Sequence, residues 1–181
     1  MRPRFISAVV LTIGLTATLA FAQEVKKESV PGITNFSRVE TTIACAGATT
    51  PAAVADVKRL GYAAIINLRQ ASEQGANLEE EEAAAKAASI TYIHLPFNAA
   101  SPDPAVVDKF LAAVTAPANQ PVFVHCASAN RASALWMIKR MLVDGWDEAR
   151  ASAEATALGM TSPALRTFAL EYVASHKKAA H

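Results

Sequence analysis

The sequence predicts a single α/β domain in which a largely parallel central sheet is flanked by helices. Two observations carry that expectation. Residues 62–68, 90–95 and 121–125 are short runs rich in apolar and β-branched side chains, as expected of strands covered on both faces. Between these runs lie segments with helical spacing, and strands that alternate with helices form parallel sheets with helices packed on their faces.

The first 22 residues stand apart from that domain. Met1-Arg2-Pro3-Arg4 is basic, residues 5–22 are almost wholly apolar, and Ala20-Phe21-Ala22 matches a small-x-small cleavage site. This reads as a secretory signal peptide over residues 1–22, with Gln23 as the mature start and export to the periplasm or the exterior. The competing reading is an uncleaved anchor, because the run approaches the length of a short membrane span. After cleavage about 159 residues remain, enough for one domain with a sizeable core. They carry 15 basic and 16 acidic side chains. A near-neutral chain without a basic stripe argues against nucleic-acid partners, and no stable membrane association is expected once the leader is removed. Oligomeric state leaves no trace in the sequence.

Residues 23–36 are polar, contain Pro31-Gly32 and read as a linker into a domain over 37–178. Residues 39–45 suggest a strand. Thr49-Thr50-Pro51 opens a helix over 51–60 that Gly61 stops. The strand over 62–68 leads into a loop over 69–77 and a helix over 78–88. That helix carries Glu79, Glu80, Glu81 and Glu82 near its N-terminus, where acids suit the helix dipole. Four consecutive acids fan out around a helix, so they read as a solvated face rather than a metal or catalytic cluster. A strand over 90–95 and a loop over 96–104 follow. The helix over 104–116 has Val107, Phe110, Leu111 and Val114 on one side. After the strand at 121–125, helices are expected over 130–144, 147–158 and 163–177.

The most informative stretch is Pro121-Val122-Phe123-Val124-His125-Cys126-Ala127-Ser128-Ala129-Asn130-Arg131-Ala132-Ser133. It reads as a buried strand, a tight loop and a helix N-terminus, with a thiol at the bend. Unpaired N–H groups and a positive dipole at a helix N-terminus bind anions and favour a thiolate. Arg131 adds a planar fork of donors suited to an oxyanion. In such sheets ligands bind beyond the carboxyl ends of the strands, which is where Cys126 sits. The plain alternative for Cys126 is a buried, inert thiol. The other cysteine, Cys45, leaves two options in an exported chain: a disulfide between the two, or a reactive Cys126 with Cys45 as its redox partner.

His125-Cys126, four residues and Arg131 after an apolar strand resemble the active loop of cysteine-dependent phosphatases of the protein-tyrosine and dual-specificity type. Upstream, Gly47 with Thr50-Pro51, then Lys58-Arg59-Leu60-Gly61-Tyr62-Ala63-Ala64-Ile65-Ile66-Asn67-Leu68-Arg69, and Tyr92-Ile93-His94-Leu95-Pro96, extend the likeness over roughly residues 35 to 145. The chain resembles most the beta-lactamase-hydrolase-like phosphatase domain, whose loop also places four residues between Cys and Arg. The resemblance implies a protein-tyrosine/dual-specificity phosphatase-like fold and hydrolysis of a phosphorylated protein or small molecule. Cys126 would attack phosphorus and form a phosphocysteine. The N–H groups of Ala127, Ser128, Ala129, Asn130 and Arg131, with the Arg131 side chain, would hold the phosphate oxygens. His125 would favour the thiolate by hydrogen bonding to the loop; a hydroxyl is usual where Ala132 stands, and Ser133, one step further round the helix, would be a supporting residue. No metal or other cofactor is implied.

Two further roles stay open in the sequence. Asp103 is placed either to give the leaving group its proton or to cap the helix that starts at Pro104, and Glu73 is a second carboxylate for the same task. Arg69 reads as a structural partner. Four intervening residues also match many rhodanese-type sulfurtransferases, in which Cys126 would carry a persulfide. A third reading is a phosphatase-like module that binds an anion without turnover. Ala129 stands where such loops commonly have glycine and is ill suited to a positive φ, which Asn130 would take more easily.

Overall fold

The computed structural model describes residues 24–179, so the expected signal peptide lies outside the described residues. Its strands are β1 (Lys26–Lys27), β2 (Ser37–Arg38), β3 (Ile43–Ala46), β4 (Ala64–Asn67), β5 (Thr91–His94) and β6 (Val122–His125). They form one sheet in the order β1-β2-β3-β6-β4-β5. The four strands from β3 to β5 are mutually parallel, as the alternation of strands and helices requires. β1 and β2 add antiparallel at one edge. Six helices accompany them: α1 (Val54–Arg59), α2 (Leu78–Ala87), α3 (Pro104–Thr115), α4 (Asn130–Leu142), α5 (Glu148–Leu158) and α6 (Pro163–Ala179). Among the described residues no helix is long and apolar enough to cross a membrane.

The segment expected to be a linker is part of the domain. Lys26 pairs opposite Arg38 in the sheet, and Ile33 and Phe36 are buried. Phe36 stacks on Phe123 with ring centroids 6.1 Å apart and meets Tyr62 edge-on at 6.4 Å. A two-residue strand and two isolated apolar side chains carry no periodicity, which is why the polar composition concealed them.

The period of two along the strands sorts side chains between two cores. Val122, Val124 and Cys126 face the layer of α3, α4, α5 and α6. Phe123 faces the layer of α1 and α2 with Ala44, Ala46 and Ile65, and His125 stacks on Phe123 on that same side. β6 lies between β3 and β4 and all four of its residues are buried. That position explains its unbroken apolar run, and it delivers Cys126 to the middle of the sheet's carboxyl edge.

Candidate active site

Cys126 is the first residue beyond β6, and its N–H still donates to the Ala46 carbonyl (3.2 Å). The loop that follows is held by contacts from distant parts of the chain. Ala48 N–H donates to Ala127 O (3.0 Å), and Ser128 bridges to Gly47. A Cβ on Gly47 would come within 2.4 Å of Thr34 Oγ1 and 3.1 Å of Ala127 O, so only glycine allows this approach. Asn35 Nδ2 donates to Ser128 O (3.4 Å). Asn130 Oδ1 accepts from the N–H groups of Thr161 (2.7 Å) and Ser162 (2.9 Å), just ahead of α6. The Asn130 side chain is therefore a structural clamp, and only its backbone N–H remains for an anion.

Ala129, not Asn130, takes the left-handed conformation, with φ 73° as the residue preceding α4. The hydroxyl and N–H of Ser133 both donate to Ala129 O (2.8 and 2.9 Å), and Asn130 is engaged by the α6 start. These contacts over-determine the turn and hold the alanine in place. They also correct the expected role of Ser133, whose hydroxyl faces the preceding helical turn.

The N–H groups of Ala127, Ser128, Asn130, Arg131 and Ala132 have no protein acceptor among the described residues. The last three begin α4, where orphan donors point out along the helix axis with the positive end of its dipole. Five donors within the six residues that follow a thiol form a cradle for an oxyanion. Cys126 itself is fully buried and forms the floor of this stretch, while Ala127 and Ser128 are exposed.

Arg131 is buried and oriented by a bidentate pair with Glu73. Nη1 lies 2.5 Å from Oε1 and Nη2 lies 2.7 Å from Oε2. Nη1 also donates to the carbonyls of Leu68 (3.2 Å) and Phe97 (3.0 Å). A guanidinium has five N–H donors; this arrangement occupies both on Nη1 and one on Nη2. The Nε–H and the second Nη2–H remain, on the edge that a phosphate engages bidentately. Burial opposes the Arg131 charge, but the hydrogen bonds to Glu73 and the nearby Cys126 sulfur outweigh it and raise the guanidinium above its ordinary value.

Glu73 therefore positions the arginine and is not an acid. Burial pushes its carboxyl up, but hydrogen bonds from Arg131, Gln70 N–H and Arg69 reverse this and hold it at about 2. At neutral pH it has no proton to give. Arg69 is structural, as expected: it reaches Glu73 (3.3 Å) and the carbonyls of Gly75 (2.5 Å) and Gln74 (2.7 Å). Asp103 is exposed and caps α3, its Oδ1 accepting from Ala105 N–H (2.9 Å); its other oxygen is uncommitted.

His125 departs from expectation, because its imidazole lies on the opposite face of the sheet from the thiol. There Nε2 is 2.8 Å from Oε1 of Glu81, and both side chains are fully buried. The ring N–H does not point straight at the oxygen, so this is a close polar contact rather than an aligned hydrogen bond. Glu81 Oε2 accepts from Asn67 Nδ2 (2.8 Å), which also meets Tyr92 Oη (3.0 Å). Asn67 Oδ1 accepts from Arg69 N–H (2.8 Å). Glu81 corrects the reading of residues 79–82 as a solvated face. Glu79, Glu80 and Glu82 are exposed, but Glu81 lies three residues after Leu78 and four before the buried Ala85, on the inward stripe of α2. That spacing, and an asparagine ending an apolar strand, were the available signals.

Both cysteines are free. Cys45 is level with Val124 in the β3–β6 register, two residues short of Cys126. Burial, then the charge of Cys126, pushes its thiol far above the ordinary range.

Three solved structures share this architecture. A DUF442 protein of Shewanella putrefaciens CN-32 superposes with a TM-score of 0.67 at 21% identity, covering 80% of this chain and 92% of the other. TpbA of P. aeruginosa gives 0.64 at 24% identity, covering 87% and 92%, and has also been crystallised as a variant with phosphotyrosine. The core catalytic domain of the PP-IP phosphatase Siw14 of S. cerevisiae, in complex with citrate, gives 0.64 at 22% identity, covering 78% and 86%. No curated protein sequence matches the chain. The family model described as Beta-lactamase hydrolase-like protein, phosphatase-like domain, matches residues 35–143, from Asn35 through the whole of α4, and the chain belongs to that family.

Proposed function

We propose that the chain is a cysteine-dependent phosphatase acting on a phosphomonoester. The observation that carries this reading is the set of five unpartnered N–H groups beside Cys126, with one edge of Arg131 free. In the reaction, the Cys126 thiolate attacks phosphorus in line with the leaving oxygen. The S–P bond forms as the ester P–O bond breaks, and the cradle and Arg131 stabilise the charge on the transferring oxygens. Asp103 supplies the proton to the leaving oxygen through its uncommitted carboxylate oxygen, since Glu73 is held ionised. Water then attacks the phosphocysteine, releasing phosphate and regenerating the thiolate.

The substrate is a phosphorylated protein or small molecule. The phosphotyrosine bound by TpbA and the activity named for Siw14 support that class for this chain. The Ala-x-Ala leader supports action in the periplasm or outside the cell.

The test is phosphate release from an aryl phosphate by the mature protein, under reducing conditions, alongside Cys126→Ser. We expect turnover in the first and none in the second. Turnover that survives the substitution refutes the cysteine mechanism. Thiocyanate production from thiosulfate and cyanide without phosphate release points to the sulfurtransferase, and neither activity points to an anion-binding module.

A further inference from the structure

We propose that the groove beside the Cys126 loop is the subsite for the alcohol part of the substrate, and that it takes a polyhydroxylated alcohol carrying a second anionic group. The inference rests on the phosphatase reading, which puts the reacting phosphate in the cradle.

The groove has a volume of about 550 Å3, within the range of small-molecule sites. The segment from Lys27 to Ser37 forms one wall, and the end of α5 with the turn into α6 forms the other. Ser128 and Asn130 close the side next to the cradle. The backbones of these same two residues supply cradle N–H groups, so a ligand that occupies both places crosses only the rim of the loop.

Strand register decides what the first wall presents. Lys27 is opposite Ser37, and Ser37 is opposite Cys45. Directly paired residues share a face, and Cys45 belongs to the core that β6 shares with α4, α5 and α6. Lys27 and Ser37 therefore stand on the helical side of the sheet, where a hydroxyl replaces the apolar residues of β3 and β6. Ser37 is 1% exposed, lines the groove and has no hydrogen-bond partner for its hydroxyl among the described residues. A buried hydroxyl without a partner is unfavourable, and a ligand in the groove would supply one.

The unpaired groups also state what the ligand must carry. Asn35 has committed its Nδ2 to Ser128 O (3.4 Å), which leaves its Oδ1 as an acceptor without a donor among the described residues. An ionised phosphate only accepts, whereas a hydroxyl donates and accepts and so meets both Asn35 and Ser37. The charged side chains of the groove are Lys27 and Glu28. Glu28 pairs with Arg38 at 2.8 Å, and Lys27 is exposed with no acidic partner among the described residues. One uncompensated positive charge suits a second anion. An extended peptide would seek strand pairing, and β1 offers it two residues, too few to hold a chain.

The experiment is calorimetric titration of the mature Cys126→Ser protein at fixed ionic strength. The probes are inorganic phosphate, fructose 6-phosphate and fructose 1,6-bisphosphate, which add first the hydroxyls and then the second anion. We expect affinity to rise about threefold or more at each step, the scale of a hydrogen bond and of an exposed ion pair. Lys27→Met should weaken the bisphosphate about threefold to fivefold and leave inorganic phosphate unchanged. Ser37→Ala should weaken both sugar phosphates and spare inorganic phosphate. Equal affinity for the three probes, or a Lys27→Met loss shared by all of them, overturns the proposal. A phosphotyrosine peptide with a neighbouring acidic residue that binds more tightly than the bisphosphate, and depends on Lys27, overturns it too, because the groove then serves a peptide. No turnover is measured here. Failure of the phosphatase reading shows as absent turnover in the wild type, and failure of the groove assignment shows as a flat probe series with inorganic phosphate still bound.

Discussion

Replacing Glu73 with Gln removes the anion that aligns Arg131 and keeps most of its shape. The cost follows from the titration of the carboxyl, which moves from its ordinary 4.5 to about 2 in the folded protein. At about 1.36 kcal/mol for each pKa unit, that displacement corresponds to at most about 3.4 kcal/mol. About a fifth of the Glu73 side chain reaches solvent, and a glutamine oxygen still accepts from Gln70 N–H, so about 2 kcal/mol is the expected loss. The assay is urea denaturation of both proteins across pH. A carboxyl whose folded-state value is depressed contributes fully above its unfolded value and loses that contribution as pH falls through the folded value. The wild type should therefore be more stable by about 2 kcal/mol at pH 7, lose this advantage between pH 4.5 and about 2, and meet Glu73→Gln near pH 2. A variant with the wild-type midpoint at pH 7, or a difference undiminished at pH 2, refutes the argument.

Other substitutions probe the loop, the acid and the frame. At Ala129, glycine relieves about 1–2 kcal/mol of left-handed strain but gives up a buried methyl worth about 0.8 kcal/mol and some unfolded-state restriction. Its stability should stay within about 0.5 kcal/mol of wild type, whereas Ala129→Val should lose about 3 kcal/mol or more in the same denaturation assay. Asp103→Asn should slow an alkyl phosphate about 100-fold and a nitrophenyl phosphate far less, because only the poorer leaving group needs the proton; equal losses in steady-state kinetics count against Asp103. Arg140 is buried between Glu154 (2.7 Å), Glu40 (2.5 Å) and Asp144 (2.8 Å), so Arg140→Leu should cost about 3–5 kcal/mol by thermal unfolding, through the carboxylates it strands.

The strands and helices were legible because they are periodic. The runs around β4, β5 and β6, the Pro-capped α3 and the Gly-terminated α1 all fall within a few residues of their expected bounds. Cys126 and Arg131 were legible because four residues between a strand and a helix leave little freedom for where they go. The partners of those residues were hidden, because they depend on which faces meet. Glu73 is 58 residues from Arg131, and His125 is 44 residues from Glu81. Whether an acid in a run of four is solvated or sealed depends on how α2 rotates against the sheet. The conformation of Ala129 was misjudged for a related reason. Intrinsic preference favours Asn130 for a positive φ, but the Asn130 side chain is committed to Thr161 and Ser162, and tertiary contacts override the local preference.

The clamp on the Cys126 loop bears on how the protein is made. One fastening comes from Asn35, 93 residues before Ser128, and the other from Thr161 and Ser162, 31 and 32 residues after Asn130. During synthesis from the N-terminus, the thiol and its arginine emerge after Asn35 but before Thr161 and Ser162, which complete the lock on their loop. A nascent chain halted before Thr161 would carry the sheet and α4 with an unfastened loop, and the site would acquire its shape only as the last helix docks on α4. The final shape of this loop thus becomes one of the last events of folding, so a chain that is still incomplete has its thiol in place before the ring of N–H groups around it is set.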